Sequence, residues 1–200
     1  MVSKLDFLLV GVGGQGTLLA SDVLADTGLR AGYDVKKSEV HGMAQRGGSV
    51  ISHVRWADHV FSPLIGRGEA DLMLAFEKLE AVRFAHFLRP GGVVVVNDHA
   101  IPPVSVNVGS DVYPTDEQVH QVLAAIAASV HRVAGLALAE RLGNPRASNV
   151  VLLGALSCLV EVPADLWLQS IAERVPPRTL EVNRAAFLAG RAAVGGSPAA

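Results

Sequence analysis

Residues 7–17, Phe-Leu-Leu-Val-Gly-Val-Gly-Gly-Gln-Gly-Thr, constrain the fold more than any other stretch of the chain. A run of apolar residues enters a cluster of glycines and leaves it into Leu18, Leu19, Val23 and Leu24, which recur at helical spacing. This order reads as buried strand, tight turn and helix N-terminus. Such a turn presents backbone N–H groups that no intrahelical carbonyl can accept, and these suit a phosphate. Gly11 and Gly13 are expected to let the backbone approach a ligand, and Gly16 to let the helix pack close to the strand.

The remaining pattern extends this unit into an α/β domain. Strand signals fall at 6–10, 34–40, 71–76 and 93–97, and helix signals at 17–30, 77–88 and 116–128. A further strand is expected near 130–133. The valine run at 93–96 is typical of a central parallel strand covered on both faces. Residues 49–55 alternate like a strand, with 60–64 as the return arm of an inserted hairpin, and 104–108 reads as an edge strand. From Leu136 onward the chain is helical. The expected fold is therefore three-layer α/β, a doubly wound and mostly parallel sheet with an inserted β-hairpin and a helical C-terminal third. One domain over 1–191 and a flexible tail over 192–200 complete the organisation.

Composition narrows the classes of function. Only 18% of the residues are charged and the net charge is −2, so neither a nucleic acid nor an anionic membrane finds a basic surface. No apolar run is long enough to span a bilayer and no secretory signal is evident, which gives a cytoplasmic expectation. The single cysteine, Cys158, excludes an internal disulfide, a Cys-x-x-Cys knuckle and an iron–sulfur ligand set. Cys158 reads as a buried thiol within the apolar run 150–160. The seven histidines show no metal-binding spacing, so no metal site is expected. The apolar run itself reads as a helix without a polar face, buried in the core or against another subunit.

Gly11, Gly13 and Gly16 complete G-x-G-x-x-G, but the dinucleotide reading also wants an acid late in the second strand. There the chain offers Lys36 and Lys37, better suited to a terminal phosphate, with Glu39 as the late acid. An NAD(P)-dependent oxidoreductase is thus one reading, and an interaction subunit whose loop holds no ligand is another. A second glycine segment, His41-Gly42-Met43-Ala44-Gln45-Arg46-Gly47-Gly48, follows strand two with little apolar content. Its Arg is free of bulky neighbours and suits an anion or a carboxylate. In Asn144-Pro145-Arg146 and the residues after it, Asn144 or Ser148 reads first as a helix cap with proline near a first turn, and Arg146 and Asn149 read secondarily as lining an inter-subunit cleft. His99, after the valine strand, lies where open α/β sheets bind ligands.

Four segments together, GVGGQGTLLAS, SEVHGMAQRGGSVISHVR, LGNPRASNVVLLGAL and EVNRAAF, resemble the gamma-type domain of 2-oxoacid:ferredoxin oxidoreductases. Within that family the HGMAQRGG version is similar to small (beta) subunits of the indolepyruvate type. The resemblance covers about residues 5–190. It implies a two-subunit enzyme that converts an arylpyruvate and coenzyme A to an aryl-acetyl-CoA and carbon dioxide, with electrons passing to ferredoxin or a similar acceptor. It also implies a large (alpha) partner subunit that carries thiamine diphosphate and any iron–sulfur clusters, none of them on this chain, so that the isolated chain is inactive. Carried onto this sequence, Gly11, Gly13, Gly14, Gln15, Gly16 and Thr17 are candidates for a pyrophosphate of shared coenzyme A. His41, Gln45 and Arg46 are candidates for the shared cleft. Lys36 and Lys37 join the cofactor candidates on the electrostatic argument alone.

Overall fold

The computed structural model describes residues 4–41 and 48–195. The N-terminal unit forms as the glycine pattern predicts: β1 (Leu5–Val12) leads through the loop into α1 (Thr17–Arg30) and on to β2 (Asp34–His41). Gly32, at φ +90°, turns the chain out of α1 in the left-handed region that favours glycine.

The sheet has six strands in the order β2-β3-β1-β4-β5-β6, where β3 is Ser49–Ala57, β4 Ala70–Ala75, β5 Leu88–Asn97 and β6 Ser129–Val133. Strands β1, β4, β5 and β6 run parallel, and β3 is antiparallel to both of its neighbours. The hairpin exists, but its arms are β2 and β3. Residues 60–64 form no strand, because β3 is already paired on both edges, with Leu5–Val12 on one side and Asp34–His41 on the other. The expected edge strand at 104–108 is also corrected: Val104–Asn107 is a short helix, α3. Pro103 precedes it in an extended conformation, and the Val106 and Asn107 N–H groups both turn back to the Pro103 carbonyl at 3.1 Å instead of pairing with a strand.

Alternation along the strands divides the core between the two faces. Phe7, Leu9, Leu72, Leu74 and Val95 face α1 and the C-terminal helices, and Leu8, Val10, Met73, Val94 and Val96 face the other side. That second face is covered by α2 (Lys78–Phe84) and α4 (Asp116–Ala124). On the first face lie α5 (Gly135–Arg141), α6 (Ser148–Ser157), α7 (Ala164–Arg174) and α8 (Leu180–Gly195). Helix α8 runs to Gly195, into the stretch expected as a tail from residue 192, and residues 196–200 lie outside the described ones.

Helix α6 has no polar side: every residue from Asn149 to Ser157 is buried. It lies between sheet and α8, which cross closely because Gly154 and Gly190 face each other's backbones. A Cβ on Gly190 would stand 2.7 Å from the carbonyl carbon of Val151. Cys158, just past α6, is half-buried, with Sγ 3.5 Å from the Arg191 carbonyl oxygen. No helix among the described residues is long and apolar enough to cross a membrane.

Candidate functional site

At the C-terminal ends of β1, β4 and β5 a cavity of about 460 Å³ opens. It lies where the strand order reverses, with β3 on one side of β1 and β4 on the other. In open α/β sheets this is the crevice that accepts ligands.

The glycine loop forms one wall. Gly14 and Gly16 line the cavity, and both stand at positive φ, +104° and +79°. Gly16 is the N-cap of α1, no side chain closes that helix end, and no acid occupies its first turn. The first-turn N–H groups thus have no side-chain cap, and the helix start borders the crevice through Gly16 and Leu19. The other loop candidates have different duties. Gly11 sits in the ladder opposite Val50, and the Gly13 N–H donates to the Gly48 carbonyl at 2.9 Å. Thr17 is buried.

Gln15 lines the cavity, yet its amide is already engaged. Its Oε1 accepts from the Val12 N–H at 2.7 Å, and its Nε2 donates to the Phe76 carbonyl at 2.9 Å. Asn97 does likewise, donating to the Phe76 carbonyl at 3.2 Å and accepting from the Gly135 N–H at 3.0 Å. Asn149 donates to the Gly16 carbonyl at 3.3 Å and accepts from the Val150 N–H at 2.9 Å. Three neutral amides thus tie α1, β1, β4, β5, α5 and α6 together at the crevice floor.

The charges come from the opposite wall. Arg146 and His99 are the titratable side chains on the lining, which contains no carboxylate. Asn144 does cap the short turn before α6, accepting from the Arg146 N–H at 3.2 Å, and that cap aims the Arg146 side chain at the cavity. Among the described residues Arg146 has no ion-pair partner. Leu19, Phe76, Ile101 and Leu136 supply an apolar side. The His99 wall is fixed from behind by Glu77, a buried carboxylate that accepts from the Ile101 N–H at 3.0 Å and from the Tyr113 hydroxyl. Burial and this bond to Glu77 both push the Tyr113 hydroxyl well above its ordinary range.

Beside the cavity, Lys78 and Arg132 alternate with Asp98 and Asp116 in a closed square of ion pairs of 2.7–3.2 Å. Hydrogen bonds from Arg132 and Lys78 hold Asp98 below the usual carboxylate range against the opposing effect of burial. The square is neutral, and none of its members lines the cavity.

Lys36 and Lys37 do not line the crevice. Insertion of β3 carries β2 to the sheet edge, about 5 Å further from β1 than a directly paired strand would be. There Lys37 pairs with Asp22 and Glu39, and Lys36 with Asp34. His41 closes β2 opposite Val50, and Gln45 and Arg46 lie outside the described residues. Among the described residues no group of three or more His, Cys, Asp or Glu could hold a metal ion. Sequence reasoning underrated Arg146 and Asn149; the Gly-Asn-Pro-Arg turn was the available signal.

Residues 6–193 match the family described as pyruvate ferredoxin/flavodoxin oxidoreductase. The chain belongs to this family. It is similar to the indolepyruvate oxidoreductase subunit IorB of Thermococcus kodakarensis, 39% identical over 94% of this chain and 95% of that protein. The IorB subunit of Archaeoglobus fulgidus is 38% identical over 98% of this chain and 99% of its own length. Among solved structures, the gamma subunit of a keto/oxoacid ferredoxin oxidoreductase from Geobacter sulfurreducens shares the fold. Its TM-score is 0.72 at 23% identity, over 96% of this chain and 99% of that one. A 2-oxoglutarate:ferredoxin oxidoreductase from Magnetococcus marinus, solved with 2-oxoglutarate, coenzyme A and succinyl-CoA, matches with a TM-score of 0.76 at 21% identity. The match spans 100% of this chain and 32% of that longer one. The protein is thus a subunit of a 2-oxoacid:ferredoxin oxidoreductase, within an enzyme built from more than this chain.

Proposed function

We propose that the protein is the small subunit of a thiamine-dependent indolepyruvate-type oxidoreductase, and that its crevice holds a phosphate-bearing part of coenzyme A. The observation that carries the reading is the wall chemistry: open first-turn amides of α1, Arg146 and His99 converge without a facing carboxylate. Amides at a helix N-terminus and a guanidinium are the donors a pyrophosphate or phosphomonoester requires. The apolar side accommodates the uncharged part of the ligand. Gly14, Gly16 and Arg146 are the residues assigned to the anion, and Gln15 is assigned to the wall.

The large (alpha) subunit supplies thiamine diphosphate and any iron–sulfur clusters, ferredoxin or a similar carrier takes the electrons, and the assembly is cytoplasmic. The relatives named for indolepyruvate support an arylpyruvate as the oxoacid. The displaced β2 disfavours the NAD(P) reading, because the strand end that would bind an adenosine ribose is not beside β1. Co-expression with the large subunit, followed by acceptor reduction with indolepyruvate, tests the proposal. Turnover is expected only with both subunits and coenzyme A present. Activity of this chain alone, or turnover of the complex indifferent to Arg146→Ala, refutes it.

A further inference from the structure

We infer that Gln15 is a positioning residue: it sets the aim of the α1 amides by bridging β1 to β4, and does not itself bond the ligand. The inference rests on the reading of the crevice as a coenzyme A site. Gln15 occupies the middle of the glycine loop, where a side chain reaching a bound phosphate would be expected. Its carboxamide instead turns inward, taking the Val12 N–H at 2.7 Å and giving a hydrogen to the Phe76 carbonyl at 2.9 Å. These two backbone groups belong to the ends of β1 and β4, the strands that flank the crevice. The Phe76 carbonyl receives a second amide from Asn97 at 3.2 Å, so both of its lone pairs are engaged.

The loop could not hold this shape by its own preferences. Two of its glycines sit at positive φ, conformations that glycine tolerates and leaves as readily. The Gln15 bridge removes that freedom: with Val12 and Phe76 linked through one side chain, Gly14 and Gly16 are fixed on either side of it. A neutral amide is the suitable bridge, because a carboxylate here would face both the Phe76 carbonyl and an incoming anion. The close fit at Gly11 has the same origin, since a Cβ there would stand 2.9 Å from the Gln15 oxygen and 2.9 Å from the Phe76 Cβ.

The decisive variant is Gln15→Met, similar in length and uncharged, measured in the two-subunit complex and as the full chain. The KM for coenzyme A is expected to rise about tenfold, the usual order for losing a buried hydrogen-bonded support, while kcat at saturating coenzyme A changes much less. In the ligand-free full chain, amide resonances of Gly14, Gly16 and Thr17 are expected to move or broaden. A role confined to ligand contact would leave the ligand-free resonances beyond the adjoining residues, those of Leu18, Leu19 and Glu77, in place, and that result, or a wild-type KM, overturns the inference. Arg146→Ala separates this failure from failure of the underlying reading. If Arg146→Ala weakens coenzyme A binding while Gln15→Met does not, the positioning role alone is wrong; if neither variant matters, the crevice is not the coenzyme A site. Should Gln15→Met fail to fold, Gln15→Glu carries the test. In the ligand-free chain the ratio of its denaturation midpoint to that of wild type is expected to rise as pH falls, because the protonated acid again donates to Phe76, a response that a carboxylate acting only on the anion would not give. An unchanged ratio overturns the proposal.

Discussion

The two edges of the sheet are closed by opposite means. At the N-terminal edge, Asp6 is fully buried and gripped by Arg55 at 2.8 and 2.9 Å, with Lys4 at 2.9 Å. Its own N–H donates to Asp71, which pairs with Arg89 at 2.7 Å. At the C-terminal edge the crevice is pinned by Gln15, Asn97 and Asn149, none of them charged. The first edge also borders a cavity, about 330 Å³, but the Arg55 and Lys4 charges on its rim already face Asp6. Fixing a wall with matched ions leaves little field for a ligand, whereas fixing it with amides leaves Arg146 and the helix terminus unopposed. This binding edge is held mainly by amides, with the one carboxylate that braces it, Glu77, set behind the wall, so that Arg146 remains available.

Breaking the ionic edge should have the largest effect. Asp6→Asn strands Arg55 in a half-enclosed site and is expected to cost about 3 kcal/mol of stability, read by denaturant unfolding. The coenzyme A affinity of the protein that remains folded should not change. A loss below about 1 kcal/mol would mean that this edge is held by packing and not by its ions.

Placing a charge among the amides should do the reverse. Asn149→Asp sets a carboxylate beside Gly16 and is expected to weaken coenzyme A binding by ten- to a hundredfold, by calorimetry on the two-subunit complex. Removing the unpaired cation comes next: Arg146→Ala should weaken binding about tenfold and shift stability by under about 0.5 kcal/mol, since the side chain is exposed.

The smallest effect concerns the sheet between the edges. Burial, and then the nearby Arg55 charge, lower the pKa of His53 from its ordinary 6.5, and its Nδ1 accepts the Ile65 N–H at 3.3 Å. The fold therefore holds His53 neutral while the unfolded chain protonates it. Its contribution is complete above pH 6.5 and declines as pH falls through that value toward the depressed one. His53→Gln should flatten this part of the stability–pH curve. His131, lowered by burial, contributes with the same sign.

The parts of the fold legible in the sequence are those decided by neighbours along the chain. Helix α1 begins and ends where Gly16 and Gly32 place it, and the valine run of β5 is a parallel strand paired on both edges, one place in from the sheet's end. The misread parts depend on pairing across the chain. Nothing local in 49–55 says which neighbour it joins, and its insertion beside β1 is what removes Lys36 and Lys37 from the site. At the crevice, the glycines point to a binding loop, but Asn149 and Arg146 reach it from a helix over a hundred residues later. Only the folded chain shows that Gln15 turns inward, because Phe76 is 61 positions away.

Helix α6 bears on how the chain is made. It offers no wettable surface, and its outer cover is α8, which follows it in the chain only after α7. Until α8 emerges, the nascent polypeptide displays a greasy rod covered by the sheet on one side and bare on the other. Emergence of α8, and not the earlier appearance of the glycine loop, is what shields this rod from clumping with its neighbours.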